Sequence, residues 1–518
     1  MMKQFLSVLV LAGMSSVGLS FCGFYVAKAD TKLFNKTSQV ILVRDGQKTT
    51  VTMSNDFKGN VKDFAMVIPV PEVLSQEDIR VVPSSLFSKL DAYSGPRLVE
   101  YHDQAPCYQP EVFYNYAESV TTRADFTSEK LTAMPTMQDY GVKIEAKYEI
   151  EEYDVLILSA KESTGLRDWL IQNDYKIPTA ADEVLEPYIK NNMKFFVVKV
   201  NADKMAQMSG MNKVKKYIDD PNMDDVKDLR PLQITYNSDK FMLPIRLGMA
   251  NSTGEQDMVV YAFTKEGRVE STNYRTTKIP SNKMIPEFVR QKFGSFYVDL
   301  FEKAHKEEKK EAIFLEYAWN VSPQFTGMKC DPCVGPPPIF TDLKEAGVDW
   351  ALNRTNQASN DVFFTRLHLR YARETHPQDL LFHVTPNKEH FQGRYIITNA
   401  YKGDVTCEEG QKYCVKVVKR RVDELENLED LTAWNASEYK PYVKEYYNKL
   451  DDPSLMNRVE ADPQRNEGLP IFPTYSNPND HIKRVLIIGL LSLLLIMLVL
   501  REIKREIVRR NFGAIYRI

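Results

Sequence analysis

Six cysteines and a cluster of histidines are the residues of this 518-residue chain whose types and spacing suit chemistry. Cys22, Cys107, Cys330, Cys333, Cys407 and Cys414 form an even set, which in an oxidising compartment reads first as disulfides. Counting leaves the connectivity open; pairing of sequence neighbours gives Cys22 with Cys107, Cys330 with Cys333 and Cys407 with Cys414 as the expected bridges. Cys330-Asp-Pro-Cys333 also has the spacing of a thiol–disulfide exchange pair. Such a pair opens a helix whose N-terminus stabilises the thiolate. Here Gly335-Pro-Pro-Pro338 follows, and consecutive prolines lack the N–H groups of a continuing helix. A structural disulfide is expected ahead of a redox site.

A metal site would combine the thiolates of Cys330 and Cys333 with imidazoles such as His368 and His376, a donor set suited to zinc. His368, His376, His383 and His390 are four of the seven histidines. Their spacing forms no compact second half-site. In the expected strand Val362 to Tyr371, alternation places His368 on one face with Arg366 and Arg370, and flanking cations oppose a dication. That trio reads instead as an anion contact, as partners for cross-strand carboxylates, or as plain surface polarity. No cofactor is expected. Phosphate-loop, dinucleotide-binding, zinc-protease, nucleophile-elbow and EF-hand motifs are absent from the sequence, so no catalytic residue is assigned and catalysis is disfavoured.

The ends of the chain set the compartment. Met1 to Ser20 has Lys3, an apolar stretch from Phe5 to Met14 and small residues at Gly18 and Ser20, the order of a secretory signal peptide. Val485 to Leu500 is a charge-free apolar run flanked by Lys483, Arg484 and Arg501, which reads as a transmembrane helix with snorkelling ends. Beyond it six basic residues against two glutamates leave the tail 501–518 at +4, which places it on the cytoplasmic side and the body outside. Taking that tail and the +1 of Lys3 from the net −3 leaves −8 on the exported body, so nucleic acid is not an expected partner. A proline-dotted stalk is expected over 451–484.

With 43% hydrophobic and 26% charged residues, the body between these ends is globular in composition. It reads as an α+β ectodomain, rich in β-strands, of two or three lobes: residues 21–204, a polar linker over 205–230, and a second lobe over 231–450 carrying the Cys-x-x-Cys loop. Strands are expected on both sides of the Asp45-Gly46 turn, over Phe64 to Val70, Val142 to Ile150, Tyr153 to Leu158, Phe195 to Val200, Leu232 to Tyr236, Phe241 to Leu247, Met258 to Phe263, Arg268 to Ser271, Leu380 to Val384 and Tyr395 to Thr398. Helices are expected near 163–173 and 180–191, and over Val422 to Leu431. The longest amphipathic helix is expected from Ile285 to Ala304.

Several blocks, among them Val67-Ile-Pro-Val-Pro71, Phe241-Met-Leu-Pro-Ile-Arg-Leu-Gly248, Asn273-Tyr-Arg-Thr276, Cys330-Asp-Pro-Cys333 and Phe391-Gln-Gly-Arg-Tyr395, resemble the bacterial family catalogued as domain of unknown function 2330, from about Cys22 to about Trp434. The resemblance implies an exported bacterial protein, often membrane-tethered, and carries no activity onto these residues. The expected function is a single-pass envelope protein, bound to the lipid bilayer through its C-terminal helix. Its non-catalytic ectodomain would bind or organise an envelope protein or surface polymer. A thiol–disulfide or metal-dependent enzyme centred on Cys330 and Cys333 is the alternative.

Overall fold

The apolar run Val40-Ile-Leu-Val43 is buried along its whole length because both faces of its strand are covered. Val40 and Leu42 point into one core, Ile41 and Val43 into another. In the computed structural model, which describes residues 24–27, 38–54, 64–107, 141–173, 181–201, 204, 229–249, 254–333, 335–352 and 361–458, this strand lies near the middle of a nine-stranded sheet. The order is Thr276–Lys278, Ile313–Asn320, Phe363–Tyr371, Gln256–Thr264, Ser38–Asp45, Lys48–Ser54, Leu232–Asn237 and Ile79–Val81, with Phe391–Gln392 also pairing to Ile313–Asn320. Gly46, at φ 58°, turns the Ser38–Asp45 and Lys48–Ser54 hairpin, a backbone position a Cβ would strain.

One face of this sheet packs on a five-stranded sheet, Phe24–Ala27, Phe64–Val70, Lys194–Val200, Tyr153–Ala160 and Val142–Ile150. The outer face of that second sheet is covered by the helices Ser163–Gln172 and Ala181–Lys190. The other face of the large sheet is covered by Ser85–Ser94 and Phe340–Ala346. The helices Phe293–Glu307 and Glu408–Thr432 form a further core with Tyr395 and Ile397. The fold is α+β, as expected. The large sheet draws strands from both sides of 205–230, so the two expected lobes share it.

Several elements differ from the sequence expectation. Phe241 to Leu247 is a strand only over Met242–Leu243; Pro244 cannot donate to a ladder, and a helical turn Arg246–Met249 follows. The long amphipathic helix begins as a 3-10 turn, Glu287–Lys292, and becomes α-helical only over Phe293–Glu307, because Lys292 at φ −122°, ψ 20° interrupts it. The helix expected over Val422 to Leu431 runs from Glu408 to Thr432. Its first half hides a buried stripe of Gln411, Cys414, Val415 and Val418 among lysines and glutamates.

Cys330 bonds to Cys333, but Cys107 bonds to Cys407, 300 residues away, so neither the Cys22–Cys107 nor the Cys407–Cys414 pairing holds. Cys407 caps the helix that contains Cys414. Seven residues of helix separate the two by about 10 Å, beyond disulfide reach. Cys414 is a buried free thiol, and Cys22 lies outside the described residues. So do the signal segment 1–20, residues 205–228, the stalk from 459, the apolar run 485–500 and the tail 501–518. Among the described residues no helix is long and apolar enough to cross a membrane.

Candidate functional site

Arg366, His368 and Arg370 share a face of Phe363–Tyr371, as alternation requires, while Phe363, Leu367, Leu369 and Tyr371 face the five-stranded sheet. Their partners are cross-strand carboxylates. Glu316, in the middle of Ile313–Asn320 and 0% exposed, accepts from Arg366 Nε at 2.5 Å, contacts His368 Nδ1 at 2.8 Å, and accepts a hydrogen bond from the Tyr297 hydroxyl. Arg366 also donates to Asp91 at 2.6 Å, and Asp91 accepts from Tyr261. His368 Nε2 lies 3.7 Å from Asp257, which Arg370 grips with two hydrogen bonds. The result is a row of alternating charge, Asp91, Arg366, Glu316, His368, Asp257, Arg370, with Phe301 stacked on the imidazole at 3.9 Å.

Burial opposes charge at Arg366, Glu316, His368, Asp257 and Arg370, and their neighbours outweigh it. Glu316 is held at about 2 against burial, chiefly by His368 and Arg366, and Asp257 at about 2 by His368 and Arg370. Burial would push His368 down, but Glu316 and Asp257 hold it above its ordinary value. The row has the residue types of an acid–base site. Its hydrogen-bonding capacity, however, is turned inward on strands and covered by Tyr297 and Phe301, which makes it a cross-link of the fold.

The metal candidates do not converge. Cys330 and Cys333 are joined to each other, and His368 faces Glu316 and Asp257. His376 is buried, with Nδ1 3.0 Å from the Thr375 hydroxyl and its ring against Tyr274. Burial lowers it to about 4. Among the described residues no three His, Cys, Asp or Glu side chains are grouped to hold a metal ion. The Cys330–Cys333 loop is pinned by its carbonyls. Tyr93 and Tyr317 donate to Lys329 O, Trp319 to Met328 O, and Arg97 to Pro332 O. That is the geometry of a clasp.

Among the described residues, an open pocket of about 400 Å³ is built from five chain segments. Pro69 pairs with Phe195 near the end of Phe64–Val70, beyond the residues that pair with Phe24–Ala27 among the described residues, and Pro71 follows the strand. Tyr188 and Met193 are set by a Schellman end to helix Ala181–Lys190. Asn192 turns at φ 55°, its N–H bonds Ile189 O, and Met193 N–H bonds Tyr188 O. Tyr236 to Lys240 leave the large sheet, Met242 to Arg246 include the proline-broken strand, and Gln378 to Leu381 open the strand Leu380–Val384.

Asp379 organises this wall. Its Oδ1 accepts from Tyr188 OH at 2.7 Å and from Arg246 N at 3.1 Å. Burial holds its carboxyl above the ordinary range, with the Tyr188 hydrogen bond pulling the other way. Asn273 Nδ2 bonds Asp379 O and Asn273 Oδ1 accepts from Leu381 N, while Tyr274 OH bonds both N and O of Gln378. Three of the blocks that carry the family resemblance thus build the pocket: Val67–Pro71 and Phe241–Gly248 line it, and Asn273–Thr276 braces it. Glu316, Asp257, Asp91 and Asp379 carry no local signature. The only sequence signal for Glu316 is a carboxylate inside an otherwise apolar strand-length run.

No curated protein and no solved structure matches the chain. A family match covers residues 17–383, ending short of Trp434 and leaving the helix Glu408–Thr432 outside it. The chain belongs to the family described as an uncharacterized protein conserved in bacteria, domain of unknown function 2330.

Proposed function

We propose that the protein is a non-catalytic, membrane-anchored binding protein of the bacterial envelope that holds a small ligand in the proline-walled pocket. The pocket carries this reading. Four prolines, Pro69, Pro71, Pro187 and Pro244, give walls of fixed φ, so little ordering is needed when a guest enters. Tyr, Met and Leu side chains supply apolar area, with a few polar groups among them, the make-up of a small-molecule site. The acid–base residues that could support catalysis are spent on one another, away from this wall. The apolar run 485–500, its basic tail and the N-terminal signal support an anchored body on the extracytoplasmic side. The enzyme alternative at Cys330 and Cys333 is less supported, because the pinned loop resists the movement that exchange requires.

The test is a thermal-shift survey of the detergent-solubilised full-length protein against a mixed small-molecule library. The control is Asn191→Trp, which fills the pocket mouth from an exposed position. Ligands that stabilise the native chain and not the variant support the reading. A library in which every stabiliser acts equally on both contradicts it.

A further inference from the structure

Resting on the pocket reading above, we propose that the ligand is an anion, a carboxylate carried on a compact apolar or aromatic body. The wall carries both signs of charge, but they are unequally engaged. Asp379 already accepts from the Tyr188 hydroxyl and the Arg246 backbone N–H, and Asp239 accepts from the Gln47 amide at 2.5 Å. Among the described residues, no hydrogen bond or ion pair engages the guanidinium of Arg246 or the ammonium of Lys240, although both line the pocket. A cationic guest would meet carboxylates whose capacity is partly used. Burial raises the Asp379 carboxyl, and its contacts with Tyr188 and the Arg246 charge pull it the other way. An anionic guest meets two cations with their donors free, and the planar fork of Arg246 matches a carboxylate in two-point geometry. Beside the neutral polar groups of Asn191, Ser238 and Gln378, the remaining wall is proline rings, tyrosine faces, thioethers and Leu381, which contact an apolar body and carry no further charge. A volume of about 400 Å³ is enough for one ring and a short acid chain.

The test uses full-length protein in detergent and ligand-observed NMR with three matched pairs: benzoate and benzamide, phenylacetate and phenylacetamide, 3-phenylpropionate and its amide. The acids are expected to bind about tenfold or more tightly than their amides, the size of a charge-assisted hydrogen-bonded contact. Arg246→Gln should erase that preference, Arg246→Lys should retain part of it, and Asn191→Trp should abolish binding. Should Arg246→Gln fail to match the native urea midpoint, Lys240→Gln, at an exposed position, reports the same preference. Amides that bind as well as acids, or a preference untouched by both charge variants, overturn the anion assignment and leave the pocket standing. Binding that survives Asn191→Trp, or no binding by any member of the three pairs, overturns both.

Discussion

Replacing Glu316 with Gln keeps the shape of the side chain and removes the charge at the centre of the buried row. Burial acts against the Glu316 carboxylate, yet His368 and Arg366 hold it at about 2 rather than 4.5. At about 1.4 kcal/mol per pH unit, that difference corresponds to roughly 3 kcal/mol of native-state preference for the charged form. Removing one partner of a buried charge pair costs about 3–5 kcal/mol by a separate route, because the other charge is left uncompensated. Here Arg366 retains Asp91 and His368 retains Asp257, so a loss of about 3 kcal/mol is expected. Urea unfolding followed by fluorescence of the four tryptophans measures it, with Glu77→Gln, at an exposed position, as a control within about 0.5 kcal/mol of native. The pH dependence supplies a second signature. The folded pKa of Glu316 lies below its unfolded value, so its contribution is complete above about pH 4.5 and is lost as pH falls towards 2; Glu316→Gln should lack that acid limb. The His368 ring resonance should also titrate at lower pH in the variant, since Glu316 is the strongest influence holding it up. A variant within about 1 kcal/mol of native, with His368 titrating unchanged, would show that Glu316 does not hold the row together.

Three further outcomes follow from the same reasoning. Serine at both Cys107 and Cys407 should cost about 2–5 kcal/mol, read from urea midpoints under non-reducing conditions, because the bond closes a long loop; the ion pair of Arg420 with Asp103 beside it should keep the helix docked. Burial pushes Glu424 up to about 7, so the native state holds a proton there that the unfolded chain releases near 4.5. Stability from this group is complete below about 4.5 and falls as pH rises to about 7, by roughly 3 kcal/mol, and Glu424→Gln should flatten that slope in urea midpoints taken from pH 5 to 8. Truncation before residue 485 should move the body from the membrane fraction to the soluble extracytoplasmic fraction; retention in the membrane pellet would contradict the anchor.

Local physics made part of this legible. The Asp45-Gly46 turn, the strand Leu380–Val384 and the shared face of Arg366, His368 and Arg370 follow from turn chemistry and a period of two. What those three residues meet does not. Glu316 is 50 residues from Arg366 and Asp91 is 275 away, so their meeting is set by strand order in the sheet. Ile313–Asn320 escaped pattern reading because a strand buried on both faces has no alternation, and its single carboxylate looks like an interruption. The Cys107–Cys407 bond is a product of topology in the same way, since neighbours in sequence proved to be spaced along one helix. The pocket draws on five separate segments, each with a local reason for its shape, and only the assembled sheets bring Pro69, Tyr188, Arg246 and Asp379 to one wall.

A wall built this way should hold a ligand in the protein's own membrane. Native mass spectrometry of the full-length protein, extracted gently from its own membranes, addresses it most directly. The expected result is a small organic acid bound to the native chain at one-to-one stoichiometry and absent from an equally folded Asn191→Trp variant. A native chain that carries no added mass, even after incubation with the small acids that the envelope contains, would contradict it.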